Sequence, residues 1–378
     1  MEVKVLSIGQ ICKRFSSGKN ITSQNISEEG VYPVYGGNGL RGYTDTYNFE
    51  GECAIVGRQG AYCGNVKYVR GKAYMSEHAI VAVTNSEHNN KYFYYKLSLA
   101  KLGRFSGQAA QPGLSVTKLL RLKLEMPSRK YQDVIASILS TYDTLIENNT
   151  KRIRLLEKMA ENLYKEWFVR FRFPGHENVE MENGLPKGWK MTNLFDVADV
   201  TYGFAFKSNK FCDNAELNPV VRIRDIQENH TNTYTDEQCE DKYLIGKNAI
   251  LIGMDGIFHM CLWNGERAYM NQRVVMLNSK EKGVCNYLLY LAIRPQIKYW
   301  EQVISGTTVA HLGDKHLRKV KVLLPEKAIL EKANSIISRA MDEKNILQHQ
   351  NSLLARQRDL LLPRLMSGKL EVKEELLE

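Results

Sequence analysis

SGQAAQPGLSVTKLLRLKLEMP (Ser106–Pro127) and SGTTVAHLGDKHLRKVKVLLP (Ser305–Pro325) read as two versions of one segment. Working outward from them, the same pairing recurs. Ala54–Gly60 (AIVGRQG) resembles Ile250–Gly256 (ILIGMDG), each an apolar run followed by G-x-x-G. Lys72-Ala73-Tyr74-Met75 matches Arg267-Ala268-Tyr269-Met270, and apolar runs follow both. Ala136–Leu139 matches Asn334–Ile337. The four blocks keep one order, with offsets between 195 and 199 residues. A repeat of this kind sets the architecture, because one structural plan is being used twice.

Each copy has two parts. Residues 1–128 and 186–325 are rich in short β-like runs broken by Gly and Asn. Residues 129–172 and 326–378 are helical, the latter including a C-terminal tail, and 173–185 link the copies. In the first helix the apolar stripe is Ile135, Ile138, Tyr142, Leu145, Ile153, Leu156, Leu163 and Trp167. In the second it is Ile329, Ala333, Ile336, Ala340, Leu347, Leu354 and Leu361. Three- and four-residue steps of this kind give a narrow seam on a long amphipathic helix. At ~1.5 Å per residue, Arg129–Arg172 would extend roughly 65 Å and Glu326–Leu362 roughly 55 Å. An antiparallel pair hides both stripes. The expected fold class is therefore α+β: two β-rich domains separated by two long helices packed as an antiparallel coiled coil, with an internal two-fold repeat. Phe173–Trp189, with its Pro, Gly and acidic residues, reads as linker. The aromatic runs Tyr92–Tyr95 and Tyr287–Tyr290 suit a packed helix in each domain.

Composition narrows the function. A chain of 378 residues that is 43% hydrophobic suits two packed domains. No apolar run approaches the ~20 residues of a membrane helix, and no signal peptide is expected. Seven scattered cysteines without a C-x-x-C pair argue against a zinc ribbon or a disulfide framework and fit a reducing cytoplasm. The net charge of +10 points to a polyanionic partner, most simply nucleic acid. Residues 1–128 carry 16 Lys and Arg against 9 Asp and Glu.

Catalytic motifs are missing. Gly37, Gly39 and Gly42 in YPVYGGNGLRGY (Tyr32–Tyr43) fit G-x-G-x-x-G. A dinucleotide site needs a helix to follow, and YTDTYNFEGE has no helical period. These glycines read instead as a turn, with Gly36, Gly37 and Asn38 suited to positive φ. There is no Walker A, H-E-x-x-H or G-x-S-x-G, and Asn218-Pro219 is followed by Val-Val rather than a methyltransferase loop. No metal ligands and no catalytic residues are expected. His311 reads as structural.

The ordered blocks, the Leu185–Trp189 entry into the second half (LPKGW) and the closing LLPRLMSGKL (Leu361–Leu370) resemble the specificity subunits of type I restriction–modification systems, over nearly the whole chain. The resemblance implies a DNA-reading scaffold and not an enzyme. Each β-rich unit would be a target recognition domain reading half of a split, asymmetric site on double-stranded DNA. Two methyltransferase subunits carrying S-adenosylmethionine would dock on it, and endonuclease/translocase subunits using ATP and Mg would join them. No cofactor is expected on this chain and no membrane partner. Two other classes stay open: a stand-alone DNA-binding coiled-coil protein, or a silent copy without partners, and a piece of a fused restriction–methylation enzyme. Under the specificity reading, helix length sets the unread spacing. Four residues added to both helices lengthen them by roughly 6 Å, about two base pairs at ~3.4 Å each. A methylation map of such a variant should show a spacer longer by two; an unchanged spacer contradicts the idea.

Base readers are expected among Arg, Gln, Asn and Lys on loops. The candidates are Arg41, Arg58, Gln59, Arg104 and Gln108 in the first domain, and Arg222, Arg224, Asp255, Arg273 and Thr308 in the second. Arg58/Gln59 and Asp255 hold equivalent positions in the repeat with different chemistry, as two half-sites of different sequence require. Arg suits guanine, and an Asp acceptor suits cytosine. Lys67, Lys118, Lys207 and Lys315 are candidates for phosphate contacts.

Overall fold

The computed structural model describes residues 3–107, 113–281, 284–304 and 310–372. The chain divides by contact into two units: Met1–Asn148 with Gln350–Glu378, and Asn149–His349. Each contains one β-rich domain and a share of both long helices.

In the first unit, a six-stranded sheet runs in the order Cys12–Ser17, Ala79–Thr84, Phe49–Gly57, Val66–Met75, Tyr32–Gly36, Gly39–Thr44. Ala79–Thr84 is buried at every position and forms the spine, as its unbroken apolar run requires. Asn90–Leu99 is a helix capped by the Asn89 side chain, with Tyr92, Phe93 and Tyr95 buried as the sequence predicts.

The second unit repeats this plan. Its four-stranded sheet runs Ala198–Tyr202, Val274–Ser279, Ile250–Gly253, Met260–Leu262. The first four strands listed for the first unit stand in the same order. In both units one parallel pair joins a further strand: Val34 opposite Tyr74, and Val220 opposite Tyr269. In both, a strand early in the unit pairs antiparallel with the one preceding a long helix, Val3–Ser7 with Lys123–Pro127 and Lys190–Asn193 with Lys321–Leu324. Asn286–Ile304 is the counterpart aromatic helix, burying Tyr287, Leu288 and Leu289.

The repeat extends to individual backbone bonds. The Gly18 N–H donates to the Ala79 carbonyl at 3.0 Å, and the Gly203 N–H to that of Val274 at 2.9 Å. The Lys19 and Phe204 N–H groups donate to the Met75 and Met270 carbonyls, each at 2.9 Å.

The first long helix is Arg129–Tyr164, continued by a π-helical turn at Lys165–Val169, so Arg170–Arg172 fall outside it. The second is Lys327–Met366. Its 40 residues nearly equal the first helix, whose 36 α-helical residues are followed by the 5 of the π turn, so the second is shorter by one residue only. It runs through Pro363, although proline inside a helix costs ~3 kcal/mol. Leu365 and Met366 lie buried in the first unit's core with Ile135 and Leu139, and Leu361 and Ile138 pack against it. That packing outweighs the lost hydrogen bond.

Within the first unit the helices pair in the antiparallel sense. Asp143 meets Arg358 at 2.7 Å, and three residues on the Ile146 carbonyl accepts from Asn351 Nδ2 at 3.4 Å. Within the second, Lys344 meets Glu157 at 2.7 Å. Leu156 and Leu163 pack on that unit's core, Leu347 is buried, and Tyr142, Ile153 and Leu354 are half-buried. Two seam positions need correction. Leu145 is 44% exposed, and Ile146 continues the inward face, because a 3.6-residue helix drifts off a fixed seam. Ile337 is fully buried while Ile336 is only half so.

The stretch read as linker is folded. Met181–Glu182 and Leu185–Pro186 form a small hairpin. Phe173 and Trp189 stack with ring centres 4.9 Å apart, and Phe171 meets Trp189 edge-on at 5.7 Å. The hairpin Tyr32–Gly36/Gly39–Thr44 explains the glycine triplet. Positive φ falls at Gly39 and Gly42 rather than at Gly36, Gly37 or Asn38, and Gly42 sits at a register shift. The next element is the strand Phe49–Gly57, not a helix.

Candidate nucleic-acid interface

The turn after each G-x-x-G strand is built by the same bonds. In the first unit, Arg58 N–H donates to the His78 carbonyl and the Arg58 carbonyl accepts from Leu114 N–H, both at 2.9 Å. In the second, Met254 N–H donates to the Arg273 carbonyl at 3.0 Å, and the Met254 carbonyl accepts from Leu312 N–H at 2.8 Å. Gln59 then bridges Gly113, and Asp255 bridges His311. Gln59 and Asp255 are therefore equivalent in structure, as are His78 and Arg273. Gly57 is demanded by crowding, since a Cβ there would stand 2.4 Å from the Tyr62 carbonyl oxygen and 2.5 Å from that of Gly37.

Around the first turn the structure gathers several candidates. Arg58 is half-buried and donates from Nη1 to Ser17 Oγ at 3.2 Å. Gln59 is exposed, and Gly37 lies beside its carbonyl. The Arg41 side chain runs against Gly36, and Lys67 against Gly39. Lys67 and Arg104 also line one surface groove, together with Lys101, Asn65 and Ser98. No acidic residue is among the described residues lining it, so the groove is a basic track suited to phosphate. Lys118 is exposed on the short helix Val116–Leu120, apart from this group. Gln108 and Thr308 lie outside the described residues.

In the second unit Asp255 is at the centre. Its Oδ1 accepts from His311 Nδ1 at 2.6 Å, and Arg273 Nε lies 3.4 Å from Oδ2. Arg222 does not reach outward: it is half-buried, its guanidinium lies 5.4 Å from the Phe211 ring centre, and its buried Nε has no hydrogen-bond partner among the described residues. Arg224 is exposed and 3.6 Å from Asp225. Burial pushes the Asp225 carboxyl up from the ordinary range, against the Thr231 hydroxyl and Arg224, which lower it. Lys207 and Lys315 are exposed, on separate elements. Beside Lys315, hydrogen bonds from the Tyr202 hydroxyl and Arg318 hold the Asp314 carboxyl below its usual range.

Three residues at these surfaces were not singled out by sequence reasoning as DNA contacts: Lys101, His78 and His311. His311 lies inside a matched repeat block, which was its one available signal. His78 and Arg273 share the 195-residue offset of the block that begins at Lys72 and Arg267, and the backbone bonds of their turns agree with that match.

Among the described residues no group of acidic, His or Cys side chains is arranged to hold a metal, and no helix is long and apolar enough to cross a membrane. All seven cysteines are free thiols.

A family model described as the type I restriction modification DNA specificity domain matches residues 1–158 and again 186–354. The chain is 39% identical over 166 residues to the specificity subunit of type I restriction enzyme EcoprrI from Escherichia coli, covering 43% of this chain and 41% of that one. It is 26% identical over 309 residues to the MjaIX specificity subunit of Methanocaldococcus jannaschii, covering 75% and 70%. The match to the first relative thus spans about two fifths of its length. The crystal structure of a type I restriction–modification S subunit from M. genitalium superposes with a TM-score of 0.66 at 17% identity, covering 97% of this chain and 96% of that one, which shows a shared fold. With the family domain matched in both halves, and the two halves built alike bond for bond at their turns, the chain belongs to the type I restriction–modification DNA specificity family.

Proposed function

We propose that this chain reads a bipartite, asymmetric site on double-stranded DNA and docks two methyltransferase subunits that methylate adenine from S-adenosylmethionine, with ATP- and Mg-dependent endonuclease subunits joining the assembly. The observation that carries this reading is the duplicated turn. Its backbone bonds are the same in both units, while the side chains it presents differ: Gln59 and His78 in one, Asp255, Arg273 and His311 in the other. A common scaffold with different donor and acceptor sets is what two unlike half-sites demand. The basic groove of Lys67, Lys101 and Arg104 supplies phosphate contacts that position the first domain without reading sequence. The chain itself contributes no catalytic residue; the methyl-transfer chemistry belongs to its partners.

The test is a genome-wide adenine-methylation map with the gene intact and deleted. Loss of methylation at one split motif, and at no other, is the expected result. An unchanged map, with the chain still binding DNA alone, would favour a stand-alone DNA-binding protein.

A further inference from the structure

We propose that Arg273 is the guanine-reading side chain of the second domain, and that Asp255 positions it instead of reading a base itself. The inference rests on the DNA-reading function above and assigns its specificity.

Depth is the first argument. The Asp255 side chain is 29% exposed, while Arg273 and His311 are 54% and 45% exposed. The carboxylate therefore sits beneath two outward-facing donors. One oxygen is held by the His311 imidazole and the other faces the Arg273 guanidinium. A neutral cytosine amino group would have to compete with a hydrogen-bonded imidazole on one oxygen and a nearby guanidinium at the other.

The atoms involved give the second argument. Arg273 meets Asp255 through Nε, and neither Nη nitrogen makes a hydrogen bond among the described residues. Those two nitrogens form the end-on fork that matches O6 and N7 of guanine in the major groove. The ion pair at Nε restrains the long side chain and removes part of the freedom it would lose on binding. The root is fixed as well. The Arg273 carbonyl accepts from Met254, and Val274, fully buried, begins the strand Val274–Ser279.

The repeat supplies the third argument. At the equivalent place the first domain has His78 and Gln59, with His78 Nε2 2.9 Å from Glu77. Among the described residues no guanidinium–carboxylate pair stands there. The fork belongs to one domain only, so its removal should affect one half-site only. Arg224 is a control: it is 70% exposed on a short 3₁₀ turn, beside its own sequence neighbour Asp225.

The experiment selects from a randomised duplex DNA library with the full-length chain purified together with its methyltransferase. The intact chain should select a split motif. Arg273→Gln should leave one half-site unchanged and lose discrimination at one guanine of the other by roughly 10- to 100-fold. Arg273→Lys keeps the charge without the fork; it should lose the same discrimination while holding overall affinity. Asp255→Asn should relax that same position, and Asp255→Glu should restore it in part. Arg224→Gln should weaken all sequences alike. The proposal is overturned if Arg273→Gln and Arg273→Lys also weaken all sequences alike, or if Asp255→Asn relaxes a different position from Arg273→Gln. An intact chain that selects no motif removes the DNA-reading function itself, a failure seen before any substitution is made.

Discussion

Gly203→Ala should lower the unfolding midpoint of the second unit by about 10 °C. A Cβ at Gly203 would stand 2.0 Å from the Asn271 carbonyl oxygen, 2.5 Å from its carbon and 2.8 Å from the Met270 oxygen. All three are backbone atoms, so no rotamer change relieves the clash. The two segments must separate, and the Gly203–Val274 and Phe204–Met270 hydrogen bonds stretch with them. Overpacking of this kind costs about 3 kcal/mol, and in a unit of this size each kcal/mol lowers the midpoint by about 2–4 °C. Gly18→Ala should do the same in the first unit, where the Cβ would stand 2.1 Å from the Met75 oxygen. Gly246→Ala is the matched control, with nothing within 4 Å of its Cβ, and should leave the melt unchanged. Thermal unfolding followed by hydrogen exchange of the strand peptides separates the units. A Gly203→Ala chain that melts with the intact one would show that this crossing is not tightly set.

The second large effect is expected at Asp143. Its carboxylate accepts from Arg358 Nη1 at 2.7 Å and from the Tyr95 hydroxyl, and Lys91 Nζ lies 3.3 Å away. Burial and the neighbouring carboxylate push the Tyr95 hydroxyl well up, so it stays a donor. Lys91 in turn lies 4.1 Å from the Tyr68 ring centre. Asp143 thus ties the first long helix to the second and to the domain's aromatic helix. Asp143→Ala leaves two largely buried cations facing each other, with side chains 26% and 21% exposed. The cost should be about 3 kcal/mol. It does not rise further because Arg358 also pairs with Asp359 at 2.8 Å. Asp143→Asn should cost less, since it keeps an acceptor. The Asp143→Leu/Arg358→Met double variant should recover part of the loss, as apolar replacement of buried pairs often does. A double-mutant cycle in urea measures the coupling; coupling near zero would mean the helices are held by apolar contacts alone.

Much of the architecture was legible because it rests on period and repetition. The stripes from Ile135 and from Ile329 marked both long helices, and the tyrosine runs marked the helix packed on each domain. The matched G-x-x-G strands placed Gln59 and Asp255 at one structural position. Seam residues were less legible. Spacing alone does not distinguish Leu145 from Ile146 or Ile336 from Ile337, since neighbouring residues on a drifting helix differ only in what tertiary packing meets them. The second helix was measured only to Leu362, and burial of Leu365 and Met366 carries it on through Pro363. The equivalence of Gly18 and Gly203 was hidden by a changed offset between the copies, because it is carried by backbone atoms that any sequence supplies. The candidate site was legible only as residue types. Nothing in the string showed that Asp255 would be held by His311 and Arg273, or that Arg222 would turn inward.

The aromatic packing around Trp189 has an optical consequence. Trp167, Trp189, Trp263 and Trp300 are the four tryptophans of the chain, and all fall within Asn149–His349. Trp263 and Trp189 are buried, so their emission should shift to the red when that unit opens. Tyrosine alone would signal for the other unit. Excitation on the red edge of the absorption band, where tyrosine is silent, therefore watches one half of the duplicated protein without a label.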